Sequence, residues 1–80
     1  MNDILPRVKE AFRETFGVEA ASITLETTPA DIPAWDSVGH LTLASNMERI
    51  FGMTFDVDEM MEMENVRAIF RILEAKLNRS

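Results

Sequence analysis

The chain has no cysteine, one histidine and one tryptophan, and only three glycines and three prolines among its 80 residues. Without cysteine there is no disulfide framework and no thiolate metal site, which suits a reducing compartment. His40 alone leaves zinc short of its usual ligands, so no metal site is expected. No apolar run approaches the roughly 18 residues of a membrane span. The opening "MNDILPRVKEAFRE" lacks the basic segment, apolar core and small-residue cleavage site of a secretory signal. These absences predict a soluble cytoplasmic protein with no stable membrane insertion. Positive charge is also scarce, 8 Lys and Arg against 14 Asp and Glu. A net charge of −6 repels nucleic acid and anionic membranes, and no nucleic-acid partner is expected.

Hydrophobic residues make up 46% of the chain, enough for one compact domain over residues 1–80 and too little for two. A monomer is expected. Net charge is −3 over residues 1–35, −6 over 36–65 and +3 over 66–80. The acid begins at Asp36, and a basic partner would dock there.

Apolar residues at Ile4/Leu5, Val8, Phe12 and Phe16 predict a helix from about Asp3 to Phe16, with Asn2 or Asp3 as N-cap, Pro6 in the first turn and Gly17 as the stop. Residues 18–36 carry Pro29, Pro33 and several Ser and Thr, so no long periodic element fits; Ile23, Leu25 and Ile32 would pin an ordered loop to the core. From Ser37 the period returns with Val38, Leu41, Met47, Ile50 and Phe51, capped by Asp36 and ended by Gly52. "MTF" reads as an apolar turn. "DVDEMMEME" offers Asp56 or Asp58 as the cap of a short third helix, and Asn65 caps a last one carrying Val66, Ile69, Phe70, Leu73 and Leu77. The expectation is all-α: four helices, a long first loop and a short third helix.

The stretch "PAWDSVGHL" places Ser37 at the first position of the second helix. A serine nucleophile needs a base, a group to orient that base, and oxyanion donors. His40 lies one turn away, but there is no G-x-S-x-G elbow and no second histidine, so self-contained catalysis is not expected. "DVDEMMEME" starts like a calcium loop at Asp56 and Asp58, yet Met60 takes a ligand position and Met61 the place of the turn glycine. The methionines read as core filler, or as a flexible lining that opens around an apolar guest. Trp35 reads as a staple onto Leu41 or a neighbouring residue of the second helix, or as a partner contact. What remains for Ser37 is to be modified. A serine-linked phosphate there would meet unpaired N–H groups and the positive end of the helix dipole.

"WDSVGHLTLASNMERIFGMTF" resembles the segment of acyl carrier proteins and peptidyl carriers in which an Asp-Ser-Leu triplet opens the second helix. The similarity extends over nearly the whole chain, from a first helix ending near "FG" to a last helix starting "NV". It implies a four-helix bundle of the acyl carrier protein type and no catalytic activity of its own. Ser37 would receive 4′-phosphopantetheine from coenzyme A through a separate phosphopantetheinyl transferase and magnesium, while Asp36 caps the helix and helps position serine and metal. The distal thiol would carry acyl thioesters between enzymes with basic docking patches. The surface read as partner-binding comprises Trp35, Val38, His40, Glu48, Asp56, Asp58, Glu59 and Glu62.

Val38 replaces the usual leucine of the triplet, and Glu48 is the only acid of the second helix after Asp36. The acids gather instead from Asp56 to Glu64. The "WDS" and "GH" context is more similar to free-standing bacterial carriers of specialised pathways than to general fatty-acid carriers. Leu41, Met47, Met60, Val66 and Ile69 are expected to line an acyl shelter, each buried methylene contributing about 0.8 kcal/mol. Two other readings stay open: an aminoacyl carrier, such as a D-alanyl carrier, or a peptidyl carrier, and an unmodified helical interaction module.

Overall fold

The computed structural model describes residues 4–77, all of whose regular structure is helical. Helix α1 spans Ile4–Phe16 and buries Ile4, Val8, Ala11 and Phe12, one stripe at helical spacing. It stops at Gly17, whose φ of +72° is the left-handed conformation glycine adopts without strain. Asn2 and Asp3, the expected caps, lie outside the described residues.

The connection from Gly17 to Asp36 is ordered, and it contains two 3₁₀ turns that periodicity did not predict, Ala20–Ser22 and Pro29–Asp31. Both are made by short-range polar contacts. The Ser22 hydroxyl donates to the Glu19 carbonyl at 2.7 Å, and the Asp31 carboxylate accepts the Thr28 N–H at 2.9 Å. Ile23 and Ile32 are buried and Leu25 packs against the core, as their apolar character required. The Thr27 carbonyl accepts the Val66 N–H at 3.0 Å, tying the loop to the start of the last helix.

Helix α2 spans Ser37–Phe51, with Asp36 as its N-cap and Gly52 in the left-handed conformation beyond its end. Its buried residues are Leu43, Ala44, Met47 and Phe51. Val38 and Leu41, expected on that face, are 73% and 61% exposed. The inward seam starts instead at His40, three residues before Leu43 and seven before Met47. Leu41, about 100° further round the helix, therefore faces outward.

Helix α3, Val57–Met61, is held by a capping box: the Asp56 carboxylate accepts the Glu59 N–H at 2.8 Å and the Glu59 carboxylate accepts the Asp56 N–H at 3.0 Å. Helix α4, Val66–Leu77, begins where the Asn65 side chain accepts the Ala68 N–H at 2.8 Å, and it buries Val66, Ile69 and Leu73. Lys76 donates to both Glu59 oxygens at 2.9 and 3.0 Å, joining α4 to α3. Helix α1 packs chiefly on α2 and also on α4. Among the described residues no helix is long and apolar enough to cross a membrane, and no group of three or more His, Asp or Glu is placed to hold a metal ion.

Candidate functional site

Ser37 is exposed at the first position of α2. The Asp36 carboxylate accepts the Gly39 N–H at 2.8 Å, and the Asp36 carbonyl accepts the His40 N–H at 2.7 Å to begin the helical ladder. The Ser37 and Val38 amides belong to the first turn and lie outside that ladder. An anion on the Ser37 oxygen would meet them and the positive helix end. That environment is worth about 0.3–1 kcal/mol to a surface anion. Asp36→Ala is expected to lower stability by about 1 kcal/mol through loss of the cap, read as a lower urea midpoint at unchanged slope.

Beside Ser37 lies an open groove of about 400 Å³ lined by Pro29, Trp35, Asp36, His40 and three methionines, Met60, Met61 and Met63. Of the five residues expected to shelter an acyl chain, only Met60 lines it. Met47, Val66 and Ile69 are fully buried in the helical core, and Leu41 projects to solvent.

The groove is bounded by a polar clamp. Trp35 is only 5% exposed; its ring meets Phe12 edge-on at 5.0 Å and Phe16 at 6.4 Å, so it seals α1 against the loop. Trp35 is therefore buried rather than available on the surface, and on the second helix it meets His40, not the outward-facing Leu41. Its Nε1–H donates to His40 Nδ1 at 2.8 Å, and His40 Nε2 lies 2.9 Å from the Met60 carbonyl. Indole can only donate and a carbonyl can only accept, so both bonds are met together by the tautomer with its proton on Nε2. Both ring nitrogens are thereby committed, and neither is left to take a proton from Ser37. The Ser37–His40 pair is not a catalytic dyad.

The acidic candidates divide in the same way. Glu48 is half-buried and accepts the Phe55 N–H at 2.8 Å, Asp56 caps α3, and Glu59 holds both Lys76 and the cap. Each of these three makes a contact within the fold, and Asp56 is exposed as well. Asp58 and Glu62 are exposed, as is Asp36, and they share the surface with exposed apolar residues Val38, Leu41, Val57 and Met61. Sequence reasoning missed Gly39 as a site residue. A Cβ at Gly39 would lie 2.1 Å from the Ala34 carbonyl oxygen and 2.9 Å from Phe16, so only glycine lets the loop cross this closely above Ser37. A glycine inside the first turn of an otherwise good helix, where it costs about 1 kcal/mol relative to alanine, was the available signal.

Ser37 is thus an exposed hydroxyl on a capped helix end, beside an open groove. Residues 6–73 match the family described as "Phosphopantetheine attachment site". The acyl carrier protein of Coprothermobacter proteolyticus is 27% identical over 74 residues, which cover 92% of this chain and 90% of that protein. The acyl carrier protein of Petrotoga mobilis is 27% identical over 77 residues, covering 96% and 91%. The chain belongs to the acyl carrier protein family, and its cofactor is a covalently attached 4′-phosphopantetheine.

Proposed function

We propose that Ser37 is the attachment point and that the protein carries acyl groups between enzymes of a specialised bacterial pathway. The observation that carries this reading is the combination at one helix end: an exposed hydroxyl, a fixed cap, two amides outside the ladder, and an imidazole whose nitrogens are both occupied. Phosphopantetheinyl transfer from coenzyme A forms a bond from the Ser37 oxygen to phosphorus, displaces 3′-phosphoadenosine 5′-phosphate and releases the hydroxyl proton. The transferase, with magnesium, would catalyse that step, and Asp36, which fixes the helix end through its cap, would be the carboxylate available to hold the metal. When bound, the arm supplies a thiol that holds the cargo as a thioester.

The chain's own part is then to present and to dock. Asp36, Asp58 and Glu62 give an acidic rim that steers basic partners through long-range attraction, while the exposed Val38, Leu41, Val57 and Met61 give them apolar contact. Tethering converts each encounter into delivery at high local concentration, so tight docking is unnecessary.

The lack of cysteine makes the test direct. Before modification, thiol titration of the denatured chain should read zero. After incubation with coenzyme A, magnesium and a broad-specificity transferase, it should read one. Acylation should mask that thiol, and hydroxylamine, which cleaves thioesters, should restore it. A folded protein that never acquires a thiol would contradict the proposal.

A further inference from the structure

His40 bears on where the cargo lies. It is the first residue of the inward seam of α2, one turn below Ser37 and ahead of Leu43, Ala44 and Met47. Its hydrogen bonds reach back to Trp35 and across to the Met60 carbonyl on α3. A chain running from Ser37 down the seam between α2 and α3 meets this clamp first. The groove follows the same boundary, for it includes His40, Trp35, Met60 and Met63 and stops short of Met47, Val66 and Ile69.

We propose that His40 is a specificity-determining residue: by bridging Trp35 and Met60 it bars the helical core to the cargo and keeps the acyl group in the open groove beside Ser37. The inference rests on Ser37 carrying the arm. The cargo class it selects is the short acyl group, because a chain kept outside the core gains nothing from further methylenes. Entry would require breaking two hydrogen bonds and leaving the buried indole N–H without its acceptor. The clamp also explains why a histidine stands at the head of an otherwise apolar seam. A neutral imidazole accepts on one side and donates on the other, as an aliphatic side chain cannot.

The test loads butyryl, hexanoyl, octanoyl and decanoyl phosphopantetheine onto the full chain from the corresponding acyl-coenzyme A, with each product verified by intact mass. Melting temperature is then measured for the wild type, His40→Ala and His40→Gln. The wild type is expected to melt at one temperature whatever the chain length. His40→Ala should melt higher by about 6–13 °C for each two added methylenes, since burial of the cargo then adds to stability. His40→Gln, whose amide can accept from Trp35 and donate to Met60, should restore the length-independent behaviour. Methyl resonances of Met47 and Ile69 in the loaded wild type, which require no variant to fold, should not shift between butyryl and decanoyl. Progressive shifts there, a wild-type melting temperature that climbs with chain length, or a folded His40→Ala indifferent to it would each overturn the clamp. Failure of every variant and of the wild type to gain mass would overturn the carrier reading, and the clamp with it.

Discussion

Gly39→Ala should lower the melting temperature by at least about 8 °C, although alanine is the better helix former. The propensity gain is about 1 kcal/mol. Against it stands a methyl group 2.1 Å from the Ala34 carbonyl oxygen and 2.9 Å from Phe16. The nearer atom is backbone and cannot rotate away, so the loop must lift from the first turn of α2. Lifting it loosens Trp35, one residue after Ala34, and with it the ring contacts to Phe12 and Phe16 and the bond to His40. Overpacking of this kind commonly costs 1–3 kcal/mol and here strikes backbone, so a net loss of about 2–4 kcal/mol is expected. In an 80-residue chain each kcal/mol moves the midpoint by about 4–8 °C. A midpoint unchanged or raised in Gly39→Ala would mean that the loop does not cross the helix this closely.

Ser37→Ala should abolish thiol incorporation completely while leaving the midpoint within about 2 °C of wild type. Loss of function is total because no other described serine offers the same environment. Ser22 donates to the Glu19 carbonyl within a 3₁₀ turn, and Ser45 lies in the middle of α2, where the amides are already paired along the helix. Stability is spared because the Ser37 side chain is exposed and the cap belongs to Asp36. Asp36→Ala is the informative companion: it loses about 1 kcal/mol of stability yet keeps the hydroxyl. It should therefore still accept the arm at a reduced rate. Residual labelling of Ser37→Ala would transfer the attachment point elsewhere.

The helix ends were legible in the sequence because capping is local. Asp36, Asn65 and Gly52 each act on a backbone group within four residues, and each was recognisable from its neighbours. The inward face of α2 was not. Counting apolar residues favours Val38 and Leu41, but the close crossing at Gly39 turns His40 toward the core and sends Leu41 to solvent. The clamp was hidden for a related reason: one of His40's partners is a main-chain carbonyl twenty residues away, which leaves no trace in side-chain pattern. The division of the acids also depends on tertiary contacts. Glu48 and Glu59 look like surface charge in the sequence, and only packing brings the Phe55 amide to one and Lys76 to the other. Ser37 itself was legible because its role depends on being first in a capped helix, which is again a local property.

The most direct measurement is the intact mass of the folded protein after incubation with coenzyme A, magnesium and a phosphopantetheinyl transferase, with Ser37→Ala in parallel. The expected result is a gain equal to one 4′-phosphopantetheine in the wild type and none in the variant. An unchanged wild-type mass, while a known carrier in the same reaction is fully converted, would contradict it.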